Sequence, residues 1–322
     1  MPVHAFVFPG QGSQAVGMGR DLAAAFAAAR AVFEEVDETL KQKLSKLMFE
    51  GPAEELTLTA NAQPALMAVS LATLRVLESE GGFTLPEKAV LVAGHSLGEY
   101  AALAAAGAFD IATAAALLRR RGDAMQRAVP PGVGAMAALL GVEPAQAAEI
   151  CAAAAPVPES DPPAREVIDP ANDNGGGQVV VSGHRAAVER AVEIARARGI
   201  RRAMLLPVSA PFHCALMAPA AAVMAEALTE TPPRPPAVPV VANASAAKAT
   251  DPARIRDLLV RQVTATVRWR ESVAAMTAMG IDSFVELGAG KVLGGLIRRI
   301  APDAAVAAAG TPAEVEAVLK SL

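Results

Sequence analysis

The chain has 322 residues, of which 53% are hydrophobic, and this is enough to bury one large core or two smaller ones. The net charge of −4 and the 3% share of aromatic residues argue against a nucleic-acid partner, and no apolar run is long enough to predict a membrane segment. Since there is no leader-like segment, and only Cys151 and Cys214 as thiols, we expect a cytoplasmic protein, and the four scattered histidines predict no bound metal. We also expect a monomer.

The first predicted strand, Val3 to Phe8, leads into a glycine-rich turn. The pattern Gly10-x-Gly12-x-x-Ala15 formally matches a dinucleotide-binding fingerprint, with Glu34 or Glu35 as its acid. That fingerprint requires the acid at the end of a second strand, whereas Asp21 to Phe49 is helical in composition and period. We therefore expect no permanently bound cofactor.

A second predicted strand and the turn after it carry the strongest chemical signal. The valine-rich run Ala89 to Ala93 is typical of a buried strand, and Gly94-x-Ser96-x-Gly98 follows it directly. This is the nucleophile-elbow pattern, in which a strained serine needs glycine on both sides. The next helix, Glu99 to Ala106, would point its N-terminal amides at the serine oxygen. The pattern predicts Ser96 as a nucleophile, and the backbone N–H of Gln11 in the glycine-rich turn as an oxyanion donor.

Three consecutive arginines lie on the helix predicted from its N-cap Asp110 toward Val129. The apolar stripe of this helix places Arg120 on the opposite, solvated face, with Arg119 and Arg121 on the two flanks of the stripe. The simplest interpretation is three surface arginines. The helical period allows either flanking arginine to reach a pocket and does not choose between them.

Residues 132–207 are predicted to form a small subdomain inserted into a larger one, which comprises 1–131 and 208–322. The Pro130-Pro131-Gly132 turn marks the boundary, and the β-α-β-β-α-β order beyond it is that of a ferredoxin-like unit. The expected elements are strands at Ala135–Gly141, Glu166–Asn172, Gln178–Ser182 and Arg201–Ser209, helices at Pro144–Ala155 and Arg185–Arg198, and a proline-rich loop at Pro156–Pro163.

The larger unit is completed by further alternating elements. They are helices at Leu66–Leu77, Asp251–Val263, Arg270–Met279 and Val292–Ile300, an alanine-rich helix ending before Pro232, and strands at Val238–Ala242 and Phe284–Gly288.

A serine hydroxyl needs a hydrogen-bonded base, most often histidine, to act as a nucleophile at neutral pH. His4 lies within the first strand, where a core or sheet-face position is expected, and His95 should point away from the neighbouring serine. His184 is expected to cap a helix. His213 follows the serine in sequence and lies in a short loop where the chain returns to the larger unit, so we predict it to be the base.

The group that would orient this histidine is left open by the residues themselves. Glu286 and Asp282 are possible acids in the later part of the chain, but a backbone carbonyl can also orient an imidazole. Cys214, beside the histidine, is expected to be a packed thiol, since no elbow pattern surrounds it.

A series of motifs extends in order along almost the whole chain: Pro9-Gly10-Gln11-Gly12-Ser13-Gln14, Gln63-Pro64-Ala65, Gly94-His95-Ser96-Leu97-Gly98-Glu99-Tyr100, Arg121-Gly122, Asn172-x-Asn174, Pro211-Phe212-His213, Gln262-Val263-Thr264, Val267-Arg268-Trp269 and Glu286-Leu287-Gly288. Jointly they are highly specific. The sequence closely resembles the acyltransferase family of fatty acid and polyketide synthesis, which includes the bacterial malonyl-CoA:acyl carrier protein transacylases.

This resemblance implies a hydrolase-like α/β core with a mostly parallel sheet, plus the inserted ferredoxin-like subdomain. It further implies that Ser96 carries the acyl group as an ester and that His213 is the general base and acid. The amides of Gln11 and Leu97 would form the oxyanion hole. Arg121 would bind the free carboxylate of a malonyl group, and the main-chain carbonyl of Gln262 would orient the histidine.

The reaction that the resemblance implies is a ping-pong transfer of the malonyl group from malonyl-CoA to the phosphopantetheine thiol of acyl carrier protein, in fatty acid biosynthesis. Three alternatives stay open: another acyltransferase of the same build, such as a malonate decarboxylase subunit or a standalone polyketide acyltransferase; a serine esterase or thioesterase; and a carrier-protein-binding scaffold with an inactive site.

Overall fold

The computed structural model describes residues 3–157 and 164–322, so most of the predicted proline-rich loop lies outside the described residues. The first part of the chain contains two strands and eight helices: β1 His4–Phe8, α1 Arg20–Ala25, α2 Ala27–Leu40, α3 Leu44–Glu50, α4 Ala53–Thr57, α5 Thr59–Gly81, α6 Leu85–Lys88, β2 Ala89–Gly94, α7 Gly98–Ala105 and α8 Ile111–Arg127.

The remaining elements alternate more regularly. They are β3 Gly134–Leu140, α9 Pro144–Ala154, β4 Ile168–Asp173, β5 Gln178–His184, α10 Arg185–Ala197, β6 Arg202–Leu205, a 3-10 turn at Ala215–Met217, α11 Ala218–Glu230, β7 Val240–Ala242, β8 Ala247–Ala249, α12 Pro252–Gln262, α13 Trp269–Ala278, β9 Ser283–Leu287, α14 Val292–Ile300, β10 Ala305–Ala309 and α15 Pro312–Leu319.

The larger of two sheets has the strand order β10-β9-β1-β2-β7-β8. All of its neighbouring strands are parallel except the edge pair β7 and β8. Successive residues of β1 point to opposite sides of this sheet: Phe6 and Phe8 join one apolar cluster, and Ala5 and Val7 join another around Trp269. Both faces of the sheet are therefore buried under helices. The carboxyl ends of β1 and β2 meet at the same edge of this sheet, where the glycine-rich turn and the elbow both begin.

The second sheet is antiparallel, with the order β4-β5-β3-β6, and every one of its strands lies within the predicted insertion. One of its faces packs with α9 and α10 around a core of its own, which includes Leu139 and Val181. The other face turns Met136 and Val180 toward the main core. This order, with two helices on one face, confirms the predicted fold class, a mostly parallel α/β core with a ferredoxin-like unit.

Several predicted boundaries were wrong for local reasons. The stretch predicted as continuous helix from Asp21 to Phe49 is interrupted twice, because Phe26 is extended and Lys41 adopts the left-handed conformation. The helix predicted at Leu66–Leu77 extends to Thr59–Gly81 and takes Pro64 into its early turns. The strand predicted to reach Ser209 ends at Leu205, two residues before Pro207.

Short and alanine-rich elements were missed. Residues 53–57, expected to be loop, form α4, and neither β8, β10 nor α15 was predicted. Alanine dominates β10, so composition does not indicate a strand there. Every helix of the described residues is too short or too polar to cross a lipid bilayer.

Candidate active site

The turn after β2 has the geometry expected of a nucleophile elbow. Ser96 has φ of 55°, a left-handed conformation that costs a non-glycine residue roughly 1–3 kcal/mol. The flanking glycines are required by space: a Cβ on Gly94 would lie 1.9 Å from the carbonyl oxygen of Gly98, and one on Gly98 would lie 2.2 Å from that of Phe8. The serine therefore stands at the start of α7, between the strand and the helix, as predicted.

His213 reaches the serine directly. Its Nε2 lies 2.8 Å from Ser96 Oγ, and its Nδ1 lies 2.9 Å from the backbone carbonyl oxygen of Gln262. Because a carbonyl oxygen can only accept, Nδ1 carries the proton and the lone pair of Nε2 faces the serine. The imidazole is thus held in the tautomer that a general base requires.

The two acids left open for orienting the histidine have other partners. Glu286 accepts hydrogen bonds from the backbone N–H groups of Leu293 and Gly294, at the start of α14. Asp282 accepts from the N–H of Val3. The Gln262 carbonyl is therefore the group that contacts Nδ1, and the acidic alternatives were wrong.

The electrostatics of the site favour a neutral base. Burial, followed by the positive charge of Arg121, lowers the pKa of His213 to about 3. The imidazole is consequently uncharged across the neutral range and can accept a proton from the serine.

Arg121 is buried with neutral partners. Its Nη1 donates to Gln63 Oε1 at 2.7 Å, and its Nη2 donates to Gln262 Oε1 at 2.9 Å and to Ser96 Oγ at 3.2 Å. Its Nε is buried and has no hydrogen-bond partner within the described residues. A cation that borders the cavity and has only uncharged acceptors can take a carboxylate beside the serine.

The glycine-rich turn after β1 packs closely against the elbow. Phe8 pairs in register with Gly94, and the N–H of His95 donates to the Phe8 carbonyl at 3.0 Å. A Cβ on Gly10 would lie 2.6 Å from the carbonyl oxygen of His95, so the two backbones are in contact. The turn that carries Gln11 is in this way brought next to the serine.

A cavity of about 450 Å³ opens over the serine, between the two sheets. Ser96, His213, Arg121, Gln11 and Leu97 all line it. The apolar part of its wall comes from both units: Met125, Met136, Val180, Leu206, Val208 and Phe212. The predicted nucleophile, base, arginine and both oxyanion donors therefore border one space, and Gln262 lies behind it.

Residues 5–306 match the acyl transferase domain family. The chain belongs to that family. Among its relatives, the malonyl CoA-acyl carrier protein transacylase of Escherichia coli (strain K12) is 45% identical, covering 99% of this chain and all of the relative. The protein of the same name from Bacillus subtilis (strain 168) is 44% identical, covering 99% and 96%.

Solved structures of acyl transferases agree with this assignment. An acyl-carrier-protein-S-malonyltransferase from Bartonella henselae is 53% identical with a TM-score of 0.94, covering 99% of each chain. A malonyl-transacylase in complex with its type II PKS acyl-carrier protein is 41% identical with a TM-score of 0.93, covering 99% of this chain and all of the other.

The three arginines of this acyl transferase domain have different partners, which only the tertiary structure reveals. Arg119 donates to Asn61 Oδ1 at 2.9 Å and also bonds Gln42, away from the serine. Arg120 pairs with Glu230 at 2.5 Å on the outer side of the helix, as predicted for the solvated face. Arg121 alone of the three reaches the cavity.

The other histidines are accounted for by structural contacts. Nδ1 of His4 lies 2.8 Å from Ser283 Oγ within the sheet, as expected for a sheet residue, and Nε2 of His95 lies 2.9 Å from Asn174 Oδ1. His184 occupies the N-cap position of α10, as predicted, but its side chain does not cap the helix, and its Nδ1 accepts from the backbone N–H of Val167. Cys214 is buried, and burial raises the pKa of its thiol to about 11, so it is a packed thiol as expected.

Two buried polar residues near the serine were missed as site components. Glu99 accepts from the N–H of Asn243 at 2.9 Å and from Gln262 Nε2 at 2.8 Å, and Asn243 contacts the elbow itself. A signal existed for Asn243, since it directly follows a buried strand and so falls at the carboxyl edge of the sheet.

Proposed function

We propose that this chain transfers the malonyl group of malonyl-CoA to the phosphopantetheine thiol of acyl carrier protein, in fatty acid biosynthesis. The observation that carries the proposal is the direct contact of the buried Arg121 guanidinium with Ser96 Oγ, because it sets a carboxylate-binding cation beside a nucleophile. The family and the full-length similarity to malonyl CoA-acyl carrier protein transacylases support it.

The first half-reaction uses the serine and the histidine. Ser96 Oγ attacks the thioester carbonyl carbon while its proton passes to His213 Nε2, 2.8 Å away. The Gln262 carbonyl keeps the histidine in the required tautomer and stabilises the imidazolium that forms. Collapse of the tetrahedral intermediate expels the CoA thiolate, which takes the proton from His213 and leaves a malonyl ester on the serine.

The oxyanion of the tetrahedral intermediate would be stabilised by two backbone N–H groups. Leu97 directly precedes the first residue of α7, so its amide belongs to the positive end of that helix. Gln11 supplies the second donor from the glycine-rich turn, which packs on the elbow. Such donors cost no reorganisation, because the backbone on both sides is fixed by strand pairing.

The second half-reaction reverses the first with another thiol. The thiol of holo-acyl carrier protein loses its proton to His213 and attacks the ester carbonyl, and Ser96 leaves with the proton. A solved relative in complex with its acyl-carrier protein supports a carrier protein as the acceptor. Transfer in place of hydrolysis requires that this thiol reaches the ester before water does.

Malonyl specificity would come from the arginine. The free carboxylate of the acyl group can pair with the guanidinium of Arg121, which borders the cavity and contacts Ser96 Oγ through Nη2. An acetyl group offers no such anion, and the buried cation would keep only its uncharged acceptors, Gln63 and Gln262.

Intact-mass spectrometry after brief exposure to malonyl-CoA tests the proposal. We expect a malonyl adduct on the peptide that holds Ser96, no adduct in Ser96→Ala, and movement of the adduct to holo-acyl carrier protein when this is added. Rapid release of free malonate without an acceptor would instead indicate a thioesterase. A protein that binds the carrier but never forms an adduct would be a scaffold. Comparing the rates of transfer from malonyl-, methylmalonyl- and acetyl-CoA to a purified carrier protein distinguishes this function from that of other acyltransferases with the same fold.

The predicted subdomain bounds, 132–207 within 1–131 and 208–322, and the predicted monomeric, cytoplasmic state remain proposals. Sedimentation equilibrium of the full chain tests the monomeric state, and fractionation of the producing cell tests the cytoplasmic location.

A further inference from the structure

Asn243 lies where the central sheet stops and the elbow begins. It follows β7, whose residues Val240 and Val241 pair in parallel with Val92 and Ala93 of β2. The residue is fully buried. Beyond this point β2 turns into the elbow, and its pairing with β7 ends.

The Asn243 side chain replaces that pairing with two hydrogen bonds of opposite polarity. Its Nδ2 donates to the carbonyl of Gly94 at 2.7 Å, and its Oδ1 accepts from the N–H of Ser96 at 2.7 Å. The two contacts fall on either side of the intervening residue and so clamp the turn at its entry and at the serine. A carboxamide can make both bonds because it carries a donor and an acceptor on one planar group.

The backbone of Asn243 is itself held by hydrogen bonds to neighbouring elements. The Asn243 N–H donates to the buried Glu99 carboxyl at 2.9 Å, and its carbonyl accepts from the N–H of Arg268 at 3.2 Å. Gln262 Nε2 also donates to the Ser96 carbonyl at 3.0 Å. The clamp is therefore anchored to α7 and to the segment before α13, and Gln262 Nε2 also lies 3.4 Å from Asn243 Oδ1.

We propose that Asn243 is a positioning residue that holds Ser96 in its left-handed conformation and thereby aligns Oγ with His213. The proposal rests on the proposed acylation of Ser96. A φ of 55° is unfavourable for serine, so the turn persists because its surroundings impose it. Without the clamp the buried Ser96 N–H loses its acceptor, and relaxation of the turn moves Oγ away from the lone pair of Nε2.

The test measures chemistry at Ser96 apart from substrate binding. Purified full-length Asn243→Leu, which has the same branched shape and number of heavy atoms but makes neither hydrogen bond, is compared with Asn61→Leu. Asn61 is another buried asparagine, and it bonds the Glu55 carbonyl and Arg119 remote from the serine. We expect kcat for malonyl transfer and the rate of Ser96 modification by a sulfonyl fluoride to fall about 100-fold in Asn243→Leu, with KM for malonyl-CoA nearly unchanged.

Asn61→Leu is expected to lose stability but to keep both rates. Equal losses in the two variants, or an Asn243→Leu protein that retains its sulfonyl fluoride reactivity, would overturn the proposal. If wild type itself reacts with the sulfonyl fluoride but forms no malonyl adduct, the proposed function fails while the positioning role stays measurable.

Asn243→Asp keeps the test decisive if the leucine variant does not fold. In its ionised form the introduced carboxyl group would accept from Ser96 but could not donate to Gly94, whereas in its protonated form it restores both bonds. Position 243 is fully buried, and burial favours the protonated form of a carboxyl group. We expect the sulfonyl fluoride rate of this variant, relative to wild type, to be low at pH 8 and to recover several-fold by pH 5. A ratio that does not change with pH contradicts the clamp.

Discussion

The guanidinium of Arg121 and the hydroxyl of Ser96 are in hydrogen-bond contact, with Nη2 3.2 Å from Oγ. The serine therefore accepts from a cation while its own proton faces His213. The same guanidinium reaches the Glu99 carboxyl only through the Gln262 amide, which bonds one group with Oε1 and the other with Nε2. A carboxylate entering the cavity would be the first anion to touch it directly.

Replacing this arginine should change which acyl group is transferred. In Arg121→Ala we expect malonyl transfer to fall on the order of 100-fold while acetyl acceptance is kept or raised, because a charge-assisted bond of about 2–3 kcal/mol is lost for malonyl alone. The measurement is kcat/KM for malonyl-CoA and acetyl-CoA with one carrier protein. Arg119→Ala is the matched control, since that arginine bonds Asn61 outside the cavity and should leave the preference unchanged. Full malonyl preference in Arg121→Ala would rule out the carboxylate-binding role.

The pKa of His213 predicts an unusually wide pH range for serine chemistry. Burial and the Arg121 charge lower this pKa to about 3, so the base stays neutral as the pH falls through 6.5. Modification of Ser96 by a sulfonyl fluoride, which has no titrating carboxylate, should therefore proceed at nearly the same rate at pH 5 and at pH 7.5. A histidine with an ordinary pKa near 6.5 would slow it about thirtyfold at pH 5. A decline of that size in a protein that is still folded contradicts the burial argument.

Local patterns predicted the parts of the site that one segment contains. The elbow glycines and the strained serine follow from a tight strand-to-helix turn, and His213 follows from its return to the larger unit. Patterns could not choose between Arg119 and Arg121, because the choice depends on partners from another helix, Asn61 for one and Gln63 for the other. The fold was predicted best where strands are valine-rich, and least where alanine fills both strands and helices.

The elbow glycines give a stability prediction with an internal control. A methyl group on Gly94 would lie 1.9 Å from the Gly98 carbonyl oxygen, and backbone on both sides prevents it from moving. We expect Gly94→Ala to lower the free energy of unfolding by at least about 3 kcal/mol. Gly295→Ala adds the same methyl within α14, where nothing lies within 4 Å, and should stabilise by up to about 1 kcal/mol. Urea unfolding measures both, and equal midpoints would contradict the steric argument.

Glu286 should make the stability of the fold depend on pH. Burial raises the pKa of this carboxyl from 4.5 to about 7, although it accepts two N–H groups at the start of α14. Between these values the native state retains a proton that the unfolded chain releases. The contribution of Glu286 to the free energy of unfolding is thus complete below pH 4.5 and is lost as the pH rises through 7, by an amount on the order of 3 kcal/mol.

Glu286→Gln isolates this contribution. Burial raises the pKa of Glu99 to about 7 as well, and the lowered pKa of His213 changes stability with pH in the opposite direction. The pH dependence of the wild-type free energy of unfolding is therefore a sum over several groups. The difference in free energy of unfolding between wild type and Glu286→Gln cancels the others. We expect urea denaturation to show that wild type loses more stability than the variant between pH 5 and pH 8. The variant keeps an acceptor for one N–H of α14 but faces the second with an NH₂ group, which lowers its stability by a constant amount at every pH. A wild-type-minus-variant difference that is equal at pH 5 and pH 8 would show that Glu286 titrates as an ordinary glutamate.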